Sequence, residues 1–206
     1  MQNINIEKLN LELQNKTPEE IISCVLQLSD ERIVTTSFGI YSAVLLNTFN
    51  KMDSNIKVIW CDTGLNANRT YEHARFLIRK FDLNIKIYSH NSTKTEIQKL
   101  HRESIINEEN HQKFSEIVKL EPFRRAIQEH QPKVWFTNIR VRQTEYRNSQ
   151  DILSLSKEGI LKISPFYYWT DEDLDNYVET NNLPKNNSYF DVTKVLSNRE
   201  CGIHFQ

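Results

Sequence analysis

Arg140, Arg142 and Arg147 crowd one short stretch, IRVRQTEYR. Each guanidinium offers a planar fork of donors that can grip a phosphate or sulfate through two oxygens at once. The other reading is a solvated charged face, with the arginines paired to Glu145 and Asp151. Thr35-Thr36-Ser37-Phe38-Gly39 places hydroxyls ahead of a glycine. Such a turn holds an anion if the glycine lets the backbone bend sharply and the next helix aims free amides at the ligand. It also describes an ordinary hydroxyl cap before any helix. Cys61-Asp62-Thr63-Gly64 sets an acid before a turn glycine, either to accept bonds from a sugar or base or to cap a helix. Lys119 with Arg124 and Arg125 forms a second basic group, which by itself reads as helix surface. The tail, Arg199-Glu200-Cys201-Gly202-Ile203-His204, sets a thiol among an arginine, an acid and a histidine. A thiol is nucleophilic as its thiolate, which Arg199 and His204 favour and Glu200 opposes.

Elements must exist to hold these groups. RIVTTSF, KVIWCDTG, NIKIYSH, VWFTNIR and LKISPFYY are short β-type runs, and helix-patterned stretches separate them. Thr17-Pro18-Glu19-Glu20 predicts a capped helix start, and Thr170 predicts another that runs to about Asn181. Cys24 falls in the first of these helices and reads as a core or half-buried thiol; Cys61, inside an apolar run, reads as buried. Residues 92–130 read as mostly helical. Strands alternating with helices give an α/β fold, an open and mainly parallel sheet wrapped by helices. In such sheets ligands sit beyond the carboxyl ends of the strands, which is where the candidate groups fall. The expected organisation is one α/β domain over 1–184, followed by an arm, 185–206, that carries Cys201.

The 206 residues carry a net charge of −1, which argues against bulk attraction to nucleic acid or anionic membrane. No apolar run is long enough to span a bilayer, and the N-terminus lacks a signal-peptide layout. The 3 cysteines include no CxxC pair and the histidines no metal-type spacing, so no metal site or iron–sulfur cluster is expected. The reducing cytoplasm is the expected compartment.

TTSFGIYSAVLL, VIWCDTG with Thr70-Tyr71, KLEPFRRAI, VWFTNIRVRQTEYR, ISPFYYWTDEDL and the terminal RECGIH occur in that order. Together they resemble the phosphoadenylyl-sulfate (PAPS) reductase family, of the PP-loop or adenine nucleotide α-hydrolase-like superfamily. The resemblance implies that Ser37 and Gly39 contact the phosphosulfate end of a nucleotide and that Asp62 and Thr63 lie beside the nucleoside. It implies that Lys119, Arg140, Gln143, Arg147 and His204 surround the phosphate and sulfate groups. Cys201 would be the catalytic nucleophile. It would take sulfonate from PAPS as an S-sulfonate, and thioredoxin or glutaredoxin would release sulfite. No resident cofactor is implied, and a homodimer is. The SGGxDS loop of the ATP pyrophosphatase branch is absent.

The chain departs from the family pattern in three places. Leu65 to Arg69 replaces the usual Pro-Glu before Thr-Tyr. Val141 stands where a second arginine is usual. The stretch between Pro184 and the terminal motif is short. Two rival readings follow: a cluster-free reductase preferring adenylyl sulfate (APS), or a nucleotide-binding relative without reductase activity.

Overall fold

The computed structural model describes residues 5–194 and 202–205. Cys201, Arg199 and Glu200 lie outside the described residues. In chain order the elements are α1 (Ile6–Leu13), α2 (Pro18–Leu26), β1 (Arg32–Thr35), α3 (Ser42–Met52), β2 (Lys57–Asp62) and α4 (Asn68–Lys80). There follow β3 (Ile85–Ser89), α5 (Lys94–Ser104), α6 (Glu108–Ser115), a π-helical turn (Glu116–Leu120) and α7 (Glu121–His130). The chain continues through β4 (Val134–Phe136), α8 (Glu145–Asn148), β5 (Leu153–Leu155), β6 (Leu161–Ile163) and α9 (Asp171–Thr180). Short 3-10 turns at Val192–Lys194 and Ile203–Phe205 complete it.

The strands form one six-stranded sheet in the order β3-β2-β1-β4-β6-β5. Every pairing is parallel except β5 with β6. This is the open α/β sheet expected from the alternating pattern. Its central strands are apolar runs because both of their faces are buried. Val34, Val58, Phe136, Leu161 and Ile163 point to one side, into a core closed by residues of α1, α2, α3, α4 and α9. Ile33, Ile59 and Trp135 point to the other, against Phe123, Ala126 and Ile127 of α7 and against Ile203 from the C-terminal tail.

The expected capping box at Thr17 and Glu20 is present, and Thr170 caps α9 with Asp173. Three elements were not foreseen, α8 in the arginine-rich stretch and two at the edge of the sheet. One is β5, the antiparallel edge strand. The other is α1, whose Asn10 pairs with β5: its Nδ2 donates to the Leu153 carbonyl and its Oδ1 accepts from the Leu153 amide. That side-chain amide occupies backbone groups that an edge strand would leave open. Strand pairing also ends sooner than the apolar runs suggested. β6 stops at Ile163, two residues before Pro165, which has no amide proton for a ladder. Cys24 is corrected from a core or half-buried thiol to an exposed one; α2 buries Ile21, Ile22 and Val25 and turns residue 24 outward.

Beyond α9 the chain folds back over the body. Asn186 is buried, and its Nδ2 donates to the Phe38 carbonyl and to Thr70 Oγ1. This carries Tyr189, Asp191 and Lys194 to the carboxyl ends of the strands, where they help line a cleft.

Candidate functional site

From β1 the strands run outward through β2 to β3, and from β4 they run the opposite way to β6 and β5, so the strand order reverses between β1 and β4. Brackets of this kind leave a crevice at the strand ends. A cleft of about 410 Å³ opens there, lined by the turn after β1, the end of β2, the loop after β4, the returning segment 189–194 and the tail at 203–204.

The turn after β1 is built differently from the expectation. The left-handed backbone belongs to Phe38, with φ of 51°, and not to Gly39. A side chain at positive φ is strained, and here the strain is held by burial: the Phe38 ring is enclosed and meets Trp60 edge-on at 4.9 Å. At Gly39 a Cβ would meet the Tyr189 ring at 3.4 Å, an ordinary contact, so neither its backbone nor the space around it demands glycine. The hydroxyls do not cap α3, whose N-cap is Tyr41 without a side-chain bond. Thr35 Oγ1 accepts from Trp135 Nε1 at 2.8 Å and Thr36 Oγ1 from the Phe38 amide at 3.1 Å. Ser37 stays exposed on the cleft lining, near the positive end of α3.

Asp62 and Thr63 do not line this cleft. Asp62 Oδ1 accepts from the Gly64 amide, Asn66 Nδ2 and Tyr71 Oη, at 3.0, 2.9 and 3.0 Å, and so organises the turn before α4. Burial and the Asp62 charge push the Tyr71 hydroxyl up to about 12. Thr63 is buried, and its Oγ1 accepts from the Leu65 amide. Cys61, expected to be buried, is half-buried and stands on the cleft wall.

The arginine-rich loop divides. Arg142 is exposed, at φ of 66°, and turns the chain. Arg140 and Arg147 enter the cleft lining with Gln143. Arg140 pairs with Asp171 at 2.6 Å, and not with the acids of its own loop, and lies over the Tyr41 ring. Gln143 Oε1 accepts from the Arg140 amide and from Arg147 Nη1. Arg147 is only 6 % exposed. Tyr167 pins the end of the loop by donating to the Arg147 and Gln150 carbonyls.

Lys119 separates from its basic neighbours. Arg124 and Arg125 pair on the helix surface with Glu116 and Glu121. Lys119 lies in the π-helical turn, a wider coil that often marks functional sites. It is buried and reaches Asp191 Oδ2 at 2.6 Å.

The tail reaches the same cleft. Gly202 takes φ of 82°, and a Cβ there would stand 3.0 Å from Leu120. Ile203 is buried in the core beneath the sheet. His204 stacks on Trp135 with centroids 5.8 Å apart and planes 9° from parallel. Burial, followed by the charges of Arg147, Lys162, Lys194 and Lys119, pushes its imidazole well below 6.5. Its Nδ1 is buried and has no hydrogen-bond partner among the described residues, as does Asn138 Oδ1 in the same cleft. Buried polar atoms without partners inside a cleft mark a place where a ligand can complete the bonding.

Of the residues singled out in the sequence, Ser37, Gly39, Lys119, Arg140, Gln143, Arg147 and His204 come together on this lining. Asn138, Asp171, Asp191 and Lys194 were not anticipated. Asn138 alone left a trace, a polar residue directly after a strand. These features define an α/β protein with a cleft lined by arginine and lysine side chains at the switch point of its sheet. A family profile for the phosphoadenosine phosphosulfate reductase domain matches residues 31–193. The chain belongs to that family, within the PP-loop superfamily. A phosphoadenosine 5'-phosphosulfate reductase of Vibrio vulnificus is 32 % identical over 187 residues, covering 88 % of this chain and 71 % of that one. One from Buchnera aphidicola is 35 % identical over 191 residues, covering 90 % and 77 %. The crystal structure of a PAPS reductase from Candida auris, in a phosphate complex, superposes with a TM-score of 0.77 over 90 % of both chains at 24 % identity, a likeness of fold.

Proposed function

We propose that this chain reduces PAPS to sulfite and adenosine bisphosphate in sulfate assimilation, with Cys201 as nucleophile. The Cys201 thiolate attacks the sulfonyl sulfur of the bound nucleotide. An S–S bond forms, the S–O bond to the phosphate breaks, and the bisphosphate leaves with the electron pair. A dithiol carrier, thioredoxin or glutaredoxin, attacks Cys201 and expels sulfite. Its second thiol resolves the mixed disulfide, so the carrier supplies both electrons. Arg140, Arg147, Lys119 and Ser37 hold the anionic end of the nucleotide, and Gln143 fixes both arginines. Gly39 contacts the same end of the nucleotide beside Ser37. Asp62 and Thr63 act beside the nucleoside by shaping the turn before α4. With three cysteines and no CxxC, the chain lacks the four thiolates of an all-cysteine iron–sulfur cluster and works without one. The reading places it in the cytoplasm, as a domain over 1–184 with a catalytic arm.

The observation that carries this reading is the tail. Ile203 and His204, two and three residues beyond Cys201, line the cation-rich cleft, and a buried His204 nitrogen there has no partner among the described residues. The test is mass spectrometry of the protein after mixing with PAPS and with APS separately, without reductant. A gain of about 80 Da at Cys201 with PAPS is expected. A gain with APS alone transfers the assignment to the cluster-free APS reductase. No gain with either, alongside intact nucleotide binding, leaves a binding protein without reductase activity.

A further inference from the structure

Lys162 is the middle residue of β6, flanked by Leu161 and Ile163, and is only 1 % exposed. Its neighbours face the helix-covered core, so by strand alternation Lys162 faces the other side, in register with Trp135 of β4. An aliphatic residue would be the default at such a position, because burying an ammonium costs free energy unless the charge is used. Here Nζ donates to the His204 carbonyl at 2.8 Å and lies 5.5 Å from the Trp135 ring and 6.0 Å from that of Tyr146. Tyr146 Oη donates to the same carbonyl at 2.6 Å. A carbonyl oxygen has two lone pairs, and both are taken. Tyr146 belongs to α8, where its neighbour is the cleft residue Arg147.

We propose that Lys162 and Tyr146 are positioning residues that clamp the His204 carbonyl and so hold the tail over the cleft. The clamp joins strand β6 to the anion-binding loop, with the tail backbone between them. The proposal rests on the reading of Cys201 as nucleophile for its purpose, but not for its test.

Hydrogen exchange of the tail peptide, followed by mass spectrometry, reads seating without turnover. Lys162→Met and Tyr146→Phe are each expected to speed exchange at residues 203–204 about tenfold, the factor for one lost hydrogen bond. Both should lower kcat for sulfite release and leave the affinity for adenosine 3',5'-bisphosphate within about twofold, and Lys162→Arg should restore most of the protection. Should Lys162→Met not fold, Tyr146→Phe, which removes one oxygen from a partly exposed ring, decides the matter. Wild-type exchange in Tyr146→Phe overturns the clamp. Faster exchange in the variants of a protein that never gains the sulfonate would keep the clamp and discard the thiol mechanism.

Discussion

Lys119 Nζ and Asp191 Oδ2 lie 2.6 Å apart, and both side chains are nearly enclosed. The pair joins the π-helical turn to the segment that folds back after α9, so one lysine of the cleft is also a structural tie. Burial raises the Asp191 carboxyl, but the Lys119 charge and the Thr193 hydroxyl outweigh it and hold it at about 2. Removing one partner of a buried ion pair costs about 3–5 kcal/mol. Asp191→Ala is therefore expected to lose about that much in urea unfolding. The pH dependence has a definite sign. A depressed carboxyl contributes stability above its ordinary value of 3.8, and that contribution fades as pH falls through about 2. Wild type should lose stability across that window more steeply than Asp191→Asn.

In the proposed function Arg140 meets the anionic end of the substrate while Asp171, at 2.6 Å from its Nη1, competes for its charge. A charge-assisted hydrogen bond contributes about 1.5–3 kcal/mol. Arg140→Ala should thus weaken adenosine bisphosphate binding by about ten- to a hundredfold in calorimetry. Asp171→Asn removes the competitor and should bind at least as tightly as wild type. Equal weakening in both variants would mean that the pair acts as a unit in binding.

Gly202 has two reasons to be glycine: its φ of 82°, and Leu120 at 3.0 Å from where a Cβ would stand. Gly202→Ala should unseat the tail and abolish most sulfite release while nucleotide affinity stays within about twofold of wild type. Adding Leu120→Ala removes the clash but not the strained φ, and should recover only part of the rate.

His204 is seated neutral. Burial and four nearby cations, Arg147, Lys162, Lys194 and Lys119, depress its proton affinity. A released tail returns the imidazole to about 6.5, so the released form binds the extra proton. Seating is then unaffected by pH above that value and weakens as pH falls below it. Tail hydrogen exchange at pH 5.5, corrected for its intrinsic rate, should show less protection than at pH 7.5. His204→Gln should flatten the difference.

The three thiols are expected to differ in reactivity toward iodoacetamide. Cys24 is exposed and should label whether or not nucleotide is bound. Cys61, half-buried on the cleft wall, should label slowly and gain protection from adenosine bisphosphate. Peptide mapping separates them from Cys201.

Periodicity and turn chemistry made the sheet legible, because apolar runs, threonine caps and the alternation of strand and helix are local signals. The loop holding Arg140, Gln143 and Arg147 stood out for the same reason, as charges directly after a strand. Partnerships between distant segments did not stand out. Asp191 belongs to an arm without periodicity, and nothing near it names Lys119 as its partner. Lys162 is hidden in an apolar run, where a lone lysine looks like a solvent-facing strand residue. β5 is only 3 residues long, too short for alternation to register. Phe38 rather than Gly39 takes the left-handed turn because a tertiary contact, with Trp60, overrides local preference.

Ile203 fills apolar space against the sheet beside Phe123, Ala126 and Ile127 of α7. Under the proposed function the same segment must also leave its seat to meet the carrier, so it answers to opposing demands. Greasier side chains at 203 hold it home for longer, and more polar ones leave it adrift. Selection for heat resistance at this position is therefore expected to yield sluggish enzymes, with the delay falling on the encounter with the carrier.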